Sequence, residues 1–431
     1  MSTEIIGFLG ILTLIFLLFS GMWIGLAMGF IGFTGFAVVA GFTPALTLLK
    51  TVPYTTLHDY NMSVIPLFAL MGVVIAKMGI GQDLYRSAQT WVGQFRGGLS
   101  LATTLACALF AAIASSSLPA ILTLGKVAVP EMRKYKYSLP MATASLASAG
   151  TLGILIPPST GFILYSILTQ QSVGKLFIAG ILPGVLLTIL FLIVILVITY
   201  LNPSSAPAGP RTNLKEKIVS LKGTWSVLCL FLLVIGGIYG GIFTATEGGA
   251  IGAFGAIVIS AVTKKLNRAN LSDSLFESFK LTGMIMTLIM GGYLLMKFIA
   301  VSKLPFELVG FIQSLNLNRY LIFAFIVFVY ILLGMFLDVY GAVVLTVPIL
   351  YPVVTALGFD PIWYGVVMVL MIEMGLVTPP VGLNVFTLSG ITGVPAGDMF
   401  KYVWPFVGAM LLCVVIITIF PQIVLFLPGR M

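Results

Sequence analysis

The chain has 431 residues, of which 59% are hydrophobic and only 8% charged, a balance that excludes a water-soluble globular protein. Twenty-two Lys and Arg against 13 Asp and Glu give a net charge of +9, but the basic residues are distributed as in a membrane topology, which argues against a nucleic acid partner. The single histidine, His58, rules out a His-built metal site, and Cys107, Cys229 and Cys413 lie in apolar stretches without a CxxC or His partner and read as core residues.

The first residues lack the basic region and small-residue cleavage site of a secretory signal and read as a retained first helix. Apolar segments between polar punctuation predict ten crossings, near 5–20, 23–41, 64–78, 139–168, 176–201, 225–243, 245–263, 281–300, 361–391 and 402–427. Pro and Gly are scattered through these tracts, which points to helices with breaks rather than to a barrel. The stretch from Gln82 to Phe95 carries Leu84, Tyr85, Ala88, Trp91, Val92 and Phe95 at helical spacing and suits a helix on the membrane surface, although an ordinary connecting helix fits as well. Leu304 to Leu317 is its counterpart.

Two segments do not fit as crossings. Leu99 to Val129 holds 31 residues broken at Ser115-Ser116-Ser117-Leu118-Pro119, whereas two full passes need about 40. A hairpin that enters and leaves by the same face is expected there, and again at Tyr320 to Thr355, broken at Asp338. These segments recur because the chain is internally repeated. At an offset of 222 positions, Gly153-Ile154-Leu155-Ile156-Pro157-Pro158 returns as Gly375-Leu376-Val377-Thr378-Pro379-Pro380, and Ser116 falls on Asp338.

The expected organisation is a first repeat over 1–201, with hairpin 97–131 and broken helix 139–168, and a cytoplasmic linker over 202–223. A second, inverted repeat follows over 224–431, with hairpin 320–355 and broken helix 361–391. Inversion follows from parity, since five predicted crossings separate the hairpins. With re-entrant hairpins, one side collects 16 of the 22 basic residues and becomes the cytoplasmic side, which leaves both termini outside. The fold class is therefore an all-α integral membrane protein with inverted repeats, a design associated with alternating access.

Broken helices expose backbone groups at membrane depth, which is tolerable only beside protein or a water-filled cavity. Half-helix N-termini suit a carboxylate, and bare carbonyls suit a small hard cation such as sodium. Each copy has a hairpin tip and a broken helix, so two similar cation sites are expected. Ser115, Ser116 and Ser117 offer oxygens at the first tip, with close helix packing as the plainer alternative. Asp338 is costly at membrane depth and is expected to cap its tip or face a cation, with proton carriage as an alternative. Glu247 and Glu373 are the other intramembrane acids, Glu247 reading as structural, and the amide of Asn384 suits an ion or a substrate oxygen. Paired acids also raise a membrane-embedded hydrolase, but no nucleophile or metal accompanies them, and the reading is not an enzyme.

Four motifs in order carry a resemblance: Gly150 to Ser159, Phe243 to Glu247, Leu345 to Ile349 and Glu373 to Asn384. Over nearly the whole chain the sequence resembles the large membrane subunit of the tripartite ATP-independent periplasmic (TRAP) transporters. The resemblance implies sodium-coupled uptake of an organic anion, such as a C4-dicarboxylate or sialic acid, across a bacterial inner membrane by an elevator movement. It implies a periplasmic substrate-binding protein and a small four-helix membrane subunit as partners, and two or more sodium ions as coupling ions. By analogy Ser115, Ser116 and Ser117 with Gly153, Ile156 and Pro158 would hold one sodium, and Asp338, Gly375, Thr378 and Pro380 the second. The anion would lie between the tips, against Ser115, Ser117, Pro157, Ser159, Tyr340 and Asn384. Leu118-Pro119 and Val339-Tyr340-Gly341 depart from the family pattern beside that space. A standalone carboxylate carrier of the same architecture, working without a binding protein, is the runner-up.

Overall fold

A computed structural model describes residues 2–114, 116–315 and 317–431, and the regular elements among them are all helical. The first half runs α1 Thr3–Phe19, α2 Ile24–Ala40, α3 Phe42–His58, α4 Val64–Lys77, α5 Ile80–Val92, α6 Gly98–Ala114, α7 Ser117–Lys134, α8 Leu139–Gly150, the single turn α9 Leu152–Leu155, α10 Thr160–Thr169 and α11 Val173–Leu201. The second runs α12 Leu214–Ser220, α13 Trp225–Tyr239, α14 Ala245–Val262, α15 Arg268–Val301, α16 Leu304–Ser314, α17 Arg319–Gly334, α18 Val339–Ala356, α19 Pro361–Gly375, α20 Leu383–Thr392, α21 Ala396–Ile419 and α22 Gln422–Leu425. By length and composition, six helical runs among the described residues can cross a membrane, or eight if each sharply bent pair is one span.

Helix bounds recur at the sequence offset: α7 starts at Ser117 and α18 at Val339, and α8 starts at Leu139 and α19 at Pro361. The predicted crossing 281–300 proves to be the end of a longer helix. Asn267 accepts from the amide of Asn270 and starts α15 at Arg268, giving 34 residues and a length of about 51 Å, well beyond a hydrocarbon core of about 30 Å. The matching segment of the first half is split into α3 and α4, because Asp59 leaves the helix in extended backbone and caps the turn Tyr60–Ser63. α3 had no predicted counterpart, since Lys50, Pro53 and its threonines dilute the apolar signal.

The helices pack in two groups. One is built on α2, α4, α14 and α15, with α1, α3 and α13 against them; the other gathers α6 to α8, α10, α11 and α17 to α21. Helices buried on every side lie at the centre of the second group: Met141–Gly150, Thr160–Thr169 and Ile362–Gly375 are buried throughout. α1 buries only Gly7 and Leu14 and turns Phe8, Phe16 and Phe19 outward. Cys107 and Cys413 are core residues as expected, whereas Cys229 on α13 is exposed.

The linker is not slack. The amide of Gly97 donates to Ala206, that of Ser138 to Ser205 and that of Gly209 to Gly93, while Ser87 donates to the carbonyl of Ser220 and Thr212 to that of Thr90. Residues 205–220 thus strap across α5 and the starts of α6 and α8. The predicted surface helix 82–95 is α5, which buries Leu84, Tyr85 and Ala88 and leaves Trp91 and Phe95 exposed.

α2 and α15 meet backbone to backbone. A Cβ on Gly32 would collide with the main chain of Leu294 and Leu295, and one on Gly291 with the carbonyl of Gly25. Small residues permit such an approach in membranes, where packing rather than water drives helix association. Gly32→Ala is expected to destabilise the protein by about 1–3 kcal/mol, because a backbone neighbour cannot yield as a side chain can. Gly283→Ala, on the same helix as Gly291 but with nothing within 4 Å, should be neutral or slightly stabilising. Thermal unfolding of both variants in detergent checks this, and equal melting temperatures would refute it.

Candidate functional site

Each broken helix is interrupted because prolines lack an N–H. Pro157 and Pro158 remove the donors that the carbonyls of Gly153 and Ile154 would receive, and among the described residues no other donor reaches those two oxygens. The chain leaves the helix at Ile156 in extended backbone and turns by 41° between the two helical pieces. It restarts at Thr160, where the hydroxyl of Ser159 accepts from the amide of Phe162 at 3.3 Å. In the second copy the corresponding carbonyls are re-satisfied: that of Gly375 accepts from Thr378 at 3.1 Å and that of Leu376 from Asn384 at 3.0 Å. Both Pro-Pro bonds are cis. Pro157, Pro158 and Ser159 are buried, whereas Pro379 is half-buried and Pro380 exposed.

The hairpin tips reach these breaks through glycine. A Cβ on Gly153 would stand 2.7 Å from the carbonyl oxygen of Ser116 and 2.9 Å from Cα of Ser117, so the first tip rests its backbone on the break. Gly375 meets the backbone of Gly334 and Met335, at the end of α17 just before the second tip. Ser116 is the extended N-cap residue of α7 without a capping side-chain bond. Ser117 is buried, and its hydroxyl donates to Oε1 of Glu373 at 3.4 Å, joining residues 256 positions apart. Ser115, the remaining tip residue expected to bind, lies outside the described residues.

At the second tip Asp338 is the N-cap of α18, its Oδ1 accepting from the amide of Gly341 at 3.1 Å, which is the capping role expected for it. The Thr378 hydroxyl donates to the carbonyl of Met374 at 2.6 Å, leaving its lone pairs available. Pro380, expected beside these groups, is exposed.

Between the two tips and the first helix group lies a cavity of about 470 Å³. Its walls include Ser116, Leu118 and Pro119 from the first tip, Thr160 after the first break, Asp338 and Tyr340 from the second tip, and residues of α4 and α15. Thr160 donates to the Tyr340 hydroxyl at 3.2 Å. Lys77 and Glu277, paired at 3.0 Å, and Lys280, whose ammonium lies over the Phe276 ring at 4.5 Å, are the charged residues on the α4 and α15 wall of an otherwise largely apolar chamber. Such a chamber can hold a small organic anion.

Of the expected substrate residues that the structure describes, Tyr340 lines this cavity, beside Ser116 and Asp338, which were expected at the ion sites. Ser117 turns to Glu373, Ser159 caps α10, Pro157 is packed away, and Asn384 is fully buried with neither amide atom partnered. Ile156 packs on Gly184, and Pro158 faces Met71 and α13. Thr160 and the ammonium groups were missed: Lys77 and Lys280 read as topology charges, and nothing local marks Thr160. Glu247, taken as an intramembrane acid, is an exposed capping box with Thr244, accepting from its amide at 2.8 Å; the Thr-x-x-Glu pattern was the available signal. Among the described residues no three His, Cys, Asp or Glu gather as a metal site, so any cation here would rely on carbonyl, hydroxyl and isolated carboxylate oxygens.

Comparison with known proteins fits this architecture. Residues 11–423 match the family described as "Tripartite ATP-independent periplasmic transporter, DctM component". The C4-dicarboxylate TRAP transporter large permease protein DctM of Pseudomonas aeruginosa is 35% identical over 402 residues, covering 93% of each chain. The sialic acid TRAP transporter large permease protein SiaM of Vibrio cholerae is 27% identical, covering 99% of this chain and 98% of that one. The crystal structure of the YdaH transporter of Alcanivorax borkumensis shares the fold, with a TM-score of 0.65 over 88% of this chain and 90% of that one at 14% identity. The chain therefore belongs to the DctM family of TRAP transporters, as a multi-pass large membrane subunit and not an enzyme.

Proposed function

We propose that this subunit carries a small organic anion, a carboxylate of the C4-dicarboxylate or sialic acid kind, into the cell together with sodium. The cavity between the tips carries the reading: it has the size for such an anion, two lysines stand on its wall, and it adjoins two tips whose oxygens suit a hard monovalent cation. The named substrates of the P. aeruginosa and V. cholerae relatives are both carboxylates. A periplasmic binding protein delivers the anion and a small four-helix membrane subunit completes the complex, as the tripartite family name suggests.

Alternating access is an elevator movement in which the group holding both tips and both breaks slides against the group built on α2, α4, α14 and α15. The position of the cavity between the two groups supports this. Five spans, namely the broken pair α8 to α10, α11, α13, α14 and α15, separate the hairpins, in keeping with inverted repeats over 1–201 and 224–431. Lys77 and Lys280, on the cavity wall, belong to the basic and hence cytoplasmic side, which favours an inward-facing conformation with both termini periplasmic.

The test is uptake into proteoliposomes holding both membrane subunits. Transport should require binding protein and an inward sodium gradient; undiminished uptake in potassium would remove the sodium reading, and full uptake by this chain alone would favour the standalone carrier. Gly153→Ala must displace the first tip from its break, and the sodium concentration for half-maximal uptake should rise roughly tenfold or more. An unaltered sodium dependence in that variant would show that the Gly153 contact only packs. Asp338→Ala should weaken sodium dependence more than docking of the binding protein, measured separately by co-sedimentation, and an unchanged sodium titration would leave Asp338 a helix cap alone.

A further inference from the structure

We propose that Glu373 supplies the negative charge of the cation site at the first tip, so that a carboxylate of the second copy completes an ion site of the first. The inference deepens the sodium-coupled reading above and rests on it. Glu373 is 0% exposed, near the end of α19 and one turn before the second break. Oε1 accepts from Ser117 at 3.4 Å, and Oε2 has no partner. None of the ion pairs among the described residues includes Glu373. A carboxylate so placed is expensive unless a positive charge compensates it.

The surroundings identify what is missing. Ser117, which holds Oε1, sits on Gly153, and the Gly153 carbonyl is one of the two oxygens stripped of a donor by the proline pair. Among the described residues no donor reaches Oε2 of Glu373 or the carbonyls of Gly153 and Ile154, and Ser117 packs against both Glu373 and Gly153. Oxygens without donors are what a dehydrated sodium ion takes as ligands. The first-copy position aligned with Glu373 is Thr151, whose hydroxyl donates to its own helix at Ser148, so the charge comes only from the second half. Binding at the first tip then becomes sensitive to the position of α19, and the two ion sites are mechanically joined.

The experiment is Glu373→Gln, which keeps the side-chain shape and an oxygen for Ser117 but removes the charge. The purified complex of both membrane subunits is titrated with sodium chloride, with choline chloride holding ionic strength constant, and thermal stability is read alongside direct binding of radioactive sodium. An opposite charge a few ångströms away typically changes the affinity for a bound cation about 10- to 1000-fold, so the half-saturating sodium concentration should rise at least tenfold. In sodium-free buffer the variant should melt above the unsubstituted protein, because a bare buried charge has been removed. Identical titrations and a lower sodium-free melting temperature would overturn the proposal and leave Glu373 a neutral structural carboxyl. A complete lack of sodium stabilisation in the unsubstituted protein would instead overturn the sodium reading beneath it. Should Glu373→Gln not fold, Glu373→Asp keeps the charge but withdraws it by one methylene; its half-saturating sodium concentration must rise several-fold, and an unchanged value overturns the proposal.

Discussion

Two prolines in the middle of an apolar helix leave carbonyl oxygens that lipid cannot satisfy, and the architecture is organised around that deficit. In the second copy the chain repairs it locally, turning back so that Thr378 and Asn384 donate to Gly375 and Leu376. In the first copy no donor among the described residues reaches the carbonyls of Gly153 and Ile154, and the break is enclosed by protein, with Pro157 to Thr160 all buried. Enclosure requires neighbours that approach closely, which explains the glycine at each break and the hairpin tips set against them. A break sealed in this way can hold bare oxygens at depth without meeting lipid.

The same requirement divides the helices. α8, α10 and α19 are buried along nearly their whole length, so their group needs a jacket of hairpins and flanking helices, while α1 and α13 keep outward faces rich in aromatic and aliphatic residues. The cavity forms where the jacket is incomplete, at the tips facing α4 and α15. Its polarity is correspondingly uneven, with hydroxyls and Asp338 from the tips on one side and Lys77, Glu277 and Lys280 on the other. An anion held there would touch both groups, which gives its binding a direct hold on their relative position.

What was legible in the sequence was local. Pro157-Pro158 and Pro379-Pro380, the serine run and Asp338 mark breaks and tips because each acts on its own few residues, and the helix bounds follow them closely. The cavity between the tips was less legible, because Thr160, Lys77 and Lys280 come from separate elements and are brought together only by packing. Ser117 and Glu373 were both visible as polar residues in apolar tracts, but their contact spans 256 positions and no spacing encodes it. α3 was hidden by its own polarity, and the exposure of Pro380 depends on how the second break folds back, which its equivalence to Pro158 obscured.

The repeat therefore supplies two similar frames and unequal chemistry. At the offset of 222 positions Ser116 faces Asp338 and Thr151 faces Glu373, so both exchanges place an acid in the second copy where the first has a hydroxyl. Asp338 spends one oxygen on its own helix cap, beside a break whose carbonyls are already paired. Glu373 points away from its own copy, toward a tip whose neighbouring carbonyls are unpaired. On the proposed reading the first site would have bare oxygens and borrow its charge, while the second would have its own charge and few bare oxygens. An ion at the first site would hold α7, α9 and α19 together at once, and loss of that ion would loosen the contact between the two copies before disturbing the second tip.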